Sequence, residues 1–180
     1  MPWKNGGGET IEIAIFPDGA TLETFDWRIS MAMVSSDGPF SDFAHIDRTL
    51  SVLSGEGLAL KIGRMTYQLT PESPPLSFAG DVPTSGTLVS GPIIDLNVMS
   101  RRGTCAHSVE RFQNVETVSI ACDSDHVFVL PLAPVTVSLA DEQIALSTRD
   151  CVWFSQSLEP LVVTATHPVT LFLIRIVKPE

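Results

Sequence analysis

Two short segments, FDWRIS and DLNVMSRR, interleave ionisable and amide side chains with apolar ones at a period of two. In an extended chain that period sends alternate side chains to opposite faces. Asp26, Arg28 and Ser30 then share one face of the first segment, opposite Phe25, Trp27, Ile29, Met31 and Met33. In the second, Asp95, Asn97, Met99 and Arg101 share a face, opposite Leu96 and Val98. Carboxylate, amide and guanidinium groups in one row are costly to bury without partners. Two arrangements satisfy them: a sheet face open to water, or the polar lining of a cavity inside a β-barrel. Periodicity alone leaves both open.

The cations are mostly arginine, eight Arg against three Lys, and Arg28, Arg48, Arg101 and Arg102 lie in the most distinctive stretches. A guanidinium fork suits a planar carboxylate held by two parallel hydrogen bonds. Internal ion pairs with Asp26, Asp37, Asp47 or Asp95 are the other use for them.

The chain opens MPWKNGGGETIEIAIF. A phosphate loop would follow a strand, carry its Lys after the glycines and open a helix. Here Lys4 precedes Gly6, Gly7 and Gly8, and Ile11, Ile13 and Ile15 alternate as in a strand, so the loop does not fit a nucleotide. Bare backbone can instead approach a ligand closely and offer N–H donors. Trp3 could then cover a cavity mouth, with Lys4 and Asn5 supplying a cation and an amide. A loop that merely closes a barrel end is the competing use.

Metal and nucleophile chemistry find little support. None of the four histidines (His45, His107, His126, His167) stands at HxH or HxxxH spacing, and Cys105-Ala106-His107 is a lone pair. No GxSxG elbow is present. The three cysteines form no CxxC pair, which fits free thiols in a reducing compartment. The net charge of −10 disfavours nucleic acid and anionic membrane surfaces. There is no signal-peptide pattern, and the apolar stretch PLVVTATHPVTLFLIRIV is broken by His167-Pro168 and holds Arg175, so it is expected to form two strands around a turn. A cytoplasmic protein without cofactor or metal is the expectation.

The positioning elements are all of one kind. Segments such as PIIDLNVMS, VETVSIAC, HVFVLPL and VTVSL alternate at period two, with Gly and Pro turns between them. RTLSVLSGEGLALKIG is expected to be a hairpin turning at Gly55-Glu56-Gly57. About fifteen strands exceed one small barrel, so an all-β fold of two stacked barrels or sandwiches is expected, with little or no helix. The boundary is expected at Arg102-Gly103, giving units 1–103 and 104–180. LSVLSGEGLALKIGRMTYQLTPESP and VTVSLADEQIALSTRDCVWFSQSLEP share a strand rhythm, the mark of a weak internal repeat.

The strings MPWKNGGGETIEIA, FDWRISMAMVSSDGPFSDF, IDRTLSVLSGEGL, LSFAGDVPTSG and GPIIDLNVMSRRG, in that order, resemble the HutD/Ves family over residues 2 to 103. The resemblance implies a bicupin: two cupin-type β-barrels in one cytoplasmic chain, commonly a homodimer, without the histidines of metallo-cupins. One branch is associated with histidine utilisation, where members are thought to bind an intermediate such as formylglutamate and limit flux, with no catalysis established. The other is associated with stress and cold response. The expected function is therefore a non-enzymatic sensor of a small dicarboxylate, with a cupin-type enzyme acting on a small acid, or a stress protein with another ligand, as alternatives. Its expected ligand-binding residues are Trp3, Lys4, Asn5, Gly6, Gly7, Arg28, Arg48, Asp95, Asn97 and Arg101. Family members usually carry a further strand's worth of residues ahead of PWKNGGG. Met1 abuts it here, which is expected to leave a sheet edge unpaired unless the chain extends upstream.

Overall fold

Every regular element among the described residues is a β-strand, as the period-two alternation requires. The structure is a computed structural model that describes residues 8–155 and 157–179. Trp3, Lys4, Asn5, Gly6 and Gly7 lie outside the described residues. No helix of the described residues is long and apolar enough to cross a membrane. The chain divides into two units, Met1–Ala106 and His107–Glu180.

The first unit contains β1 (Gly8–Phe16), β2 (Trp27–Val34), β3 (Gly38–Pro39), β4 (Ile46–Ser54), β5 (Leu58–Ile62), β6 (Met65–Leu69), β7 (Leu76–Ala79), β8 (Thr84–Leu88) and β9 (Ile93–Arg101). They form a five-stranded sheet in the order β1-β2-β9-β4-β7 and a four-stranded sheet in the order β3-β8-β5-β6. Ala32, Val34, Leu50, Val52 and Ile93 of the larger sheet share one core with Leu58, Leu60 and Leu69 of the smaller. Neighbours in both sheets run antiparallel.

The expected hairpin at Gly55-Glu56-Gly57 is instead a corner between the sheets, since β4 and β5 belong to different ones. Leu50 and Val52 before the corner and Leu58 and Leu60 after it must reach the same core, so the two strands face each other instead of pairing. Gly55 and Gly57 make the corner with φ of +98° and +101°. A Cβ on Gly57 would lie 2.2 Å from the Leu69 carbonyl oxygen. Gly57→Ala should therefore destabilise the protein by about 2 kcal/mol, from backbone strain and a displaced strand. Urea unfolding checks this; an unchanged midpoint would show that the corner relaxes freely.

The second unit holds β10 (Ala106–Ile120), β11 (His126–Pro131), β12 (Val135–Leu139), β13 (Glu142–Leu146), β14 (Val152–Ser155) and β15 (Leu161–Val177). The order is β13-β12-β15-β11-β14, with β10 also paired to β15. Its core gathers Val127, Val129, Val137, Leu161, Val163, Leu171 and Leu173. The expected turn at His167-Pro168 does not form, and β15 runs unbroken for 17 residues. It pairs with β12 through Val162–Thr164 and with β11 through Leu171–Ile176. Pro168, which has no N–H to donate, falls between these two registers, where its ring interrupts neither ladder.

Candidate functional site

Register builds the site on the inner face of the five-stranded sheet. Met99 of β9 stands between Arg28 of β2 and Arg48 of β4. Two residues along, Asn97 stands between Ser30 and Leu50; two further, Asp95 stands between Ala32 and Val52. The row grades from two guanidinium groups to the apolar core. Arg28, Ser30, Arg48, Asp95, Asn97 and Met99 all line a cavity of about 620 Å³ within the first unit. Leu58, Gly86 and Leu88 of the smaller sheet line it as well.

Arg28 and Ser30 of FDWRIS and Asp95, Asn97 and Met99 of DLNVMSRR thus point inward, deciding for these residues between the two arrangements the alternation allowed. On the opposite face Met33 is 48% exposed, although Ile29, Leu96 and Val98 are buried.

Arg28 is buried and already engaged. Its Nε donates to Glu12 Oε2 at 2.8 Å, and its Nη1 donates to Ser30 Oγ at 3.2 Å. Glu12 sits on β1 opposite Ser30, so the β1–β2 register places the pair.

Arg48 is 4% exposed and lies in an aromatic cage. Its guanidinium carbon is 5.2 Å from the Phe40 ring centre, 5.7 Å from Phe43 and 5.4 Å from Phe78. Phe78 is its register partner on β7, while Phe40 and Phe43 come from the segment that leads from β3 towards β4. Nη1 donates to the Ser41 carbonyl oxygen at 3.2 Å, but Nε has no hydrogen-bond partner among the described residues. Burial, with Arg28 adding to it, pulls the guanidinium pKa down to about 10, against the opposing charges of Asp95 and Asp42. It stays charged at neutral pH.

Asp95 is 2% exposed, and its Oδ1 has no hydrogen-bond partner among the described residues. Burial pushes its carboxyl pKa up to about 7, opposed by the Arg48 charge and by the Ala32 backbone N–H. Asn97 donates from Nδ2 to Met99 Sδ at 3.6 Å, leaving Oδ1 without a partner among the described residues. The cavity therefore presents a caged cation, a carboxyl poised near neutrality and an amide oxygen.

Four of the expected site residues, Arg28, Arg48, Asp95 and Asn97, are thus brought to one cavity. Arg101 is not among its lining residues. It ends β9, donating from Nε to the Phe25 carbonyl at 2.9 Å and from Nη2 to the Glu23 carbonyl at 3.0 Å. Its place beyond Met99 takes it past the cavity, where it ties down the chain entering β2. Asp26 also lies outside the strand; its N–H donates to the Phe16 carbonyl and its own carbonyl accepts from the Arg101 N–H. Arg102 takes up the ion-pair alternative, bonding Asp47 at 2.7 Å and Asp81 at 2.8 Å. His45 is exposed and does not line the cavity. Among the described residues no three His, Cys, Asp or Glu side chains cluster so as to hold a metal ion.

Sequence reasoning did not find the cage or the Glu12 partner. The aromatic spacing in PFSDF was a usable signal for Phe40 and Phe43, but Phe78 meets Arg48 only through the β4–β7 register.

A family model described as HutD matches residues 1–172. Protein Ves of Citrobacter koseri is 39% identical over 109 residues, which are 59% of this chain and 56% of that protein. The match thus spans little more than half of that relative's length. Among solved structures, HutD from Pseudomonas fluorescens SBW25, in a formate condition, superposes with a TM-score of 0.82 at 31% identity over 100% of this chain and 94% of that one. A conserved protein of unknown function from Pseudomonas aeruginosa PAO1 gives a TM-score of 0.91 at 28% identity, over 99% and 93%. A cupin 2 conserved barrel domain protein from Leptotrichia buccalis, at 11% identity and a TM-score of 0.62 over 98% and 92%, shows the cupin-type fold alone.

Proposed function

The chain belongs to the HutD family, and from that premise we propose that it binds a small carboxylate in the first unit's cavity without transforming it. The preferred class is a dicarboxylate of the N-formylglutamate type, whose level the protein senses for histidine utilisation in the cytoplasm. The observation that carries this reading is Arg48: a buried, charged guanidinium whose Nε donor is unspent among the described residues, at the wall of a cavity. A cation kept out of water needs an anionic partner, and a carboxylate matches the guanidinium fork. The cavity volume of about 620 Å³ falls in the range of small-molecule sites. The Asn97 and Asp95 oxygens add places for a ligand N–H or O–H.

The test is a thermal-shift titration with N-formyl-L-glutamate, formiminoglutamate, urocanate, histidine and glutamate, each with and without EDTA. At a hundredfold excess over Kd, a ligand that binds only the folded state adds about 2.7 kcal/mol. In a chain of this size that is roughly 5–10 °C of melting temperature. N-formyl-L-glutamate should raise the melting point regardless of chelator. Protein that melts cooperatively and responds to none of the five would remove the reading.

A further inference from the structure

Taking the proposed carboxylate site as the premise, we propose that an anion binding at Arg48 carries one proton onto Asp95, making Asp95 the charge selector of the cavity. The charges on the inner face leave few alternatives. Arg28 is already neutralised by Glu12 at 2.8 Å. Among the described residues of the larger sheet's inner face, Arg48 and Asp95 then remain, a cation and a carboxyl on adjacent strands, each at most 4% exposed and each electrostatically coupled to the other. With Asp95 ionised, this couple is neutral and offers an incoming anion no net attraction. A ligand carboxylate at Arg48 would also place a second negative charge in the cavity that the buried Asp95 lines. When two carboxylates share one buried site, each raises the other's pKa.

The step balances simply. The anion enters, Asp95 takes one proton from solvent, and the Arg48 end of the cavity holds one of the ligand's carboxylates, one guanidinium and one carboxylic acid. Asp95, with an unpartnered Oδ1 among the described residues, can then donate its O–H to a ligand oxygen. Burial already holds its pKa at about 7, so the proton is within reach at neutral pH.

The groups around Asp95 leave it this role. β2 contributes Arg28, with Glu12 of β1 behind it, and β4 contributes Arg48. Asp37 lines the cavity and accepts the Leu88 N–H at 2.8 Å, and Asp42 acts on Arg48 from the loop before β4. The facing strands β3, β5 and β8 contribute Gly38, Leu58, Gly86 and Leu88, none ionisable. Among the described residues no histidine lines the cavity.

Isothermal titration of the full chain with N-formyl-L-glutamate, in two buffers of different ionisation enthalpy, counts the protons directly. Uptake should approach one per ligand at pH 8. Affinity should be nearly flat below pH 7 and weaken by up to about tenfold per pH unit above it. Asp95→Asn, a neutral mimic of the protonated acid, should lose both effects and bind more tightly than wild type at pH 8.5. Binding by wild type without proton uptake would overturn this inference and leave the carboxylate site standing. Asp95→Asn that binds more weakly at every pH would also overturn it, since Asp95 would then serve as an ionised acceptor. No binding by wild type at any pH would remove both. The proton count on wild type needs no variant, so a poorly folding Asp95→Asn protein does not spare the proposal.

Discussion

Arg48→Met is expected to give a folded protein whose affinity for N-formyl-L-glutamate has fallen about 100-fold or more. Truncating one member of a buried, hydrogen-bonded charge pair costs about 2–5 kcal/mol in binding, and each 1.4 kcal/mol is a factor of ten. Methionine suits the test because it keeps the volume and lets a thioether pack on the rings of Phe40, Phe43 and Phe78, where the guanidinium now sits. Folding should survive for a second reason. Removing one buried charge is usually severe because it strands the other. Here the stranded group is Asp95, and without the Arg48 charge holding its pKa down it rises above about 7 and stays neutral at physiological pH. The loss of the Nη1 bond to the Ser41 carbonyl costs about 1 kcal/mol. Arg48→Lys should fall between the two, keeping the charge but losing the planar fork. Parallel unfolding and titration experiments separate the effects. Wild-type affinity in Arg48→Met would show that the anion, if any, is held elsewhere.

Without ligand, Asp95→Asn is expected to stabilise the protein at pH 8 by as much as about 4 kcal/mol, and hardly at pH 4. Burial raises the Asp95 pKa from 3.8 to about 7, and each tenfold change in proton affinity is worth about 1.36 kcal/mol. The sign follows from proton counting. Between about pH 4 and 7 the folded state holds a proton at Asp95 that the unfolded chain has released, so stability declines as pH rises through this window. Below it both states are protonated; above about pH 7 both are ionised and the full penalty is in force. Asparagine is nearly isosteric and carries no charge to desolvate. Urea unfolding of both proteins at pH 4, 6 and 8 isolates the effect as a difference, since other groups cancel. A wild-type-minus-variant difference that stays flat with pH would mean that Asp95 is solvated or paired when folded.

Much of the fold and part of the site were legible in the residue order. Period-two alternation determined that the chain is all-β and that Arg28 shares a face with Ser30, and Asp95 with Asn97 and Met99. The long strings from PWKNGGG to DLNVMSRRG carried the family, which matches residues 1–172. Alternation is a local property of one strand, and it says which side chains share a face without saying what covers that face. Whether Arg28 and Asp95 faced water or a cavity depended on the smaller sheet closing over them, through contacts between segments far apart in sequence. The same holds for the Arg48 cage, because Phe78 meets Arg48 only when β7 pairs with β4. Arg101 shares its alternation with Asn97, yet it falls beyond the cavity because the strand outruns it. Gly55-Glu56-Gly57 read as a hairpin because glycine marks a turn without naming its kind. A hairpin and a sheet-to-sheet corner both need positive φ, and only the shared core of Leu50, Val52, Leu58 and Leu60 selects the corner. The sequence by itself determined which chemical groups the protein has and which of them travel together. Tertiary structure alone decided which were taken out of water, and burial is what sets Arg48 and Asp95 apart from the solvated charges, because desolvation leaves their unspent donor and acceptor in need of a partner.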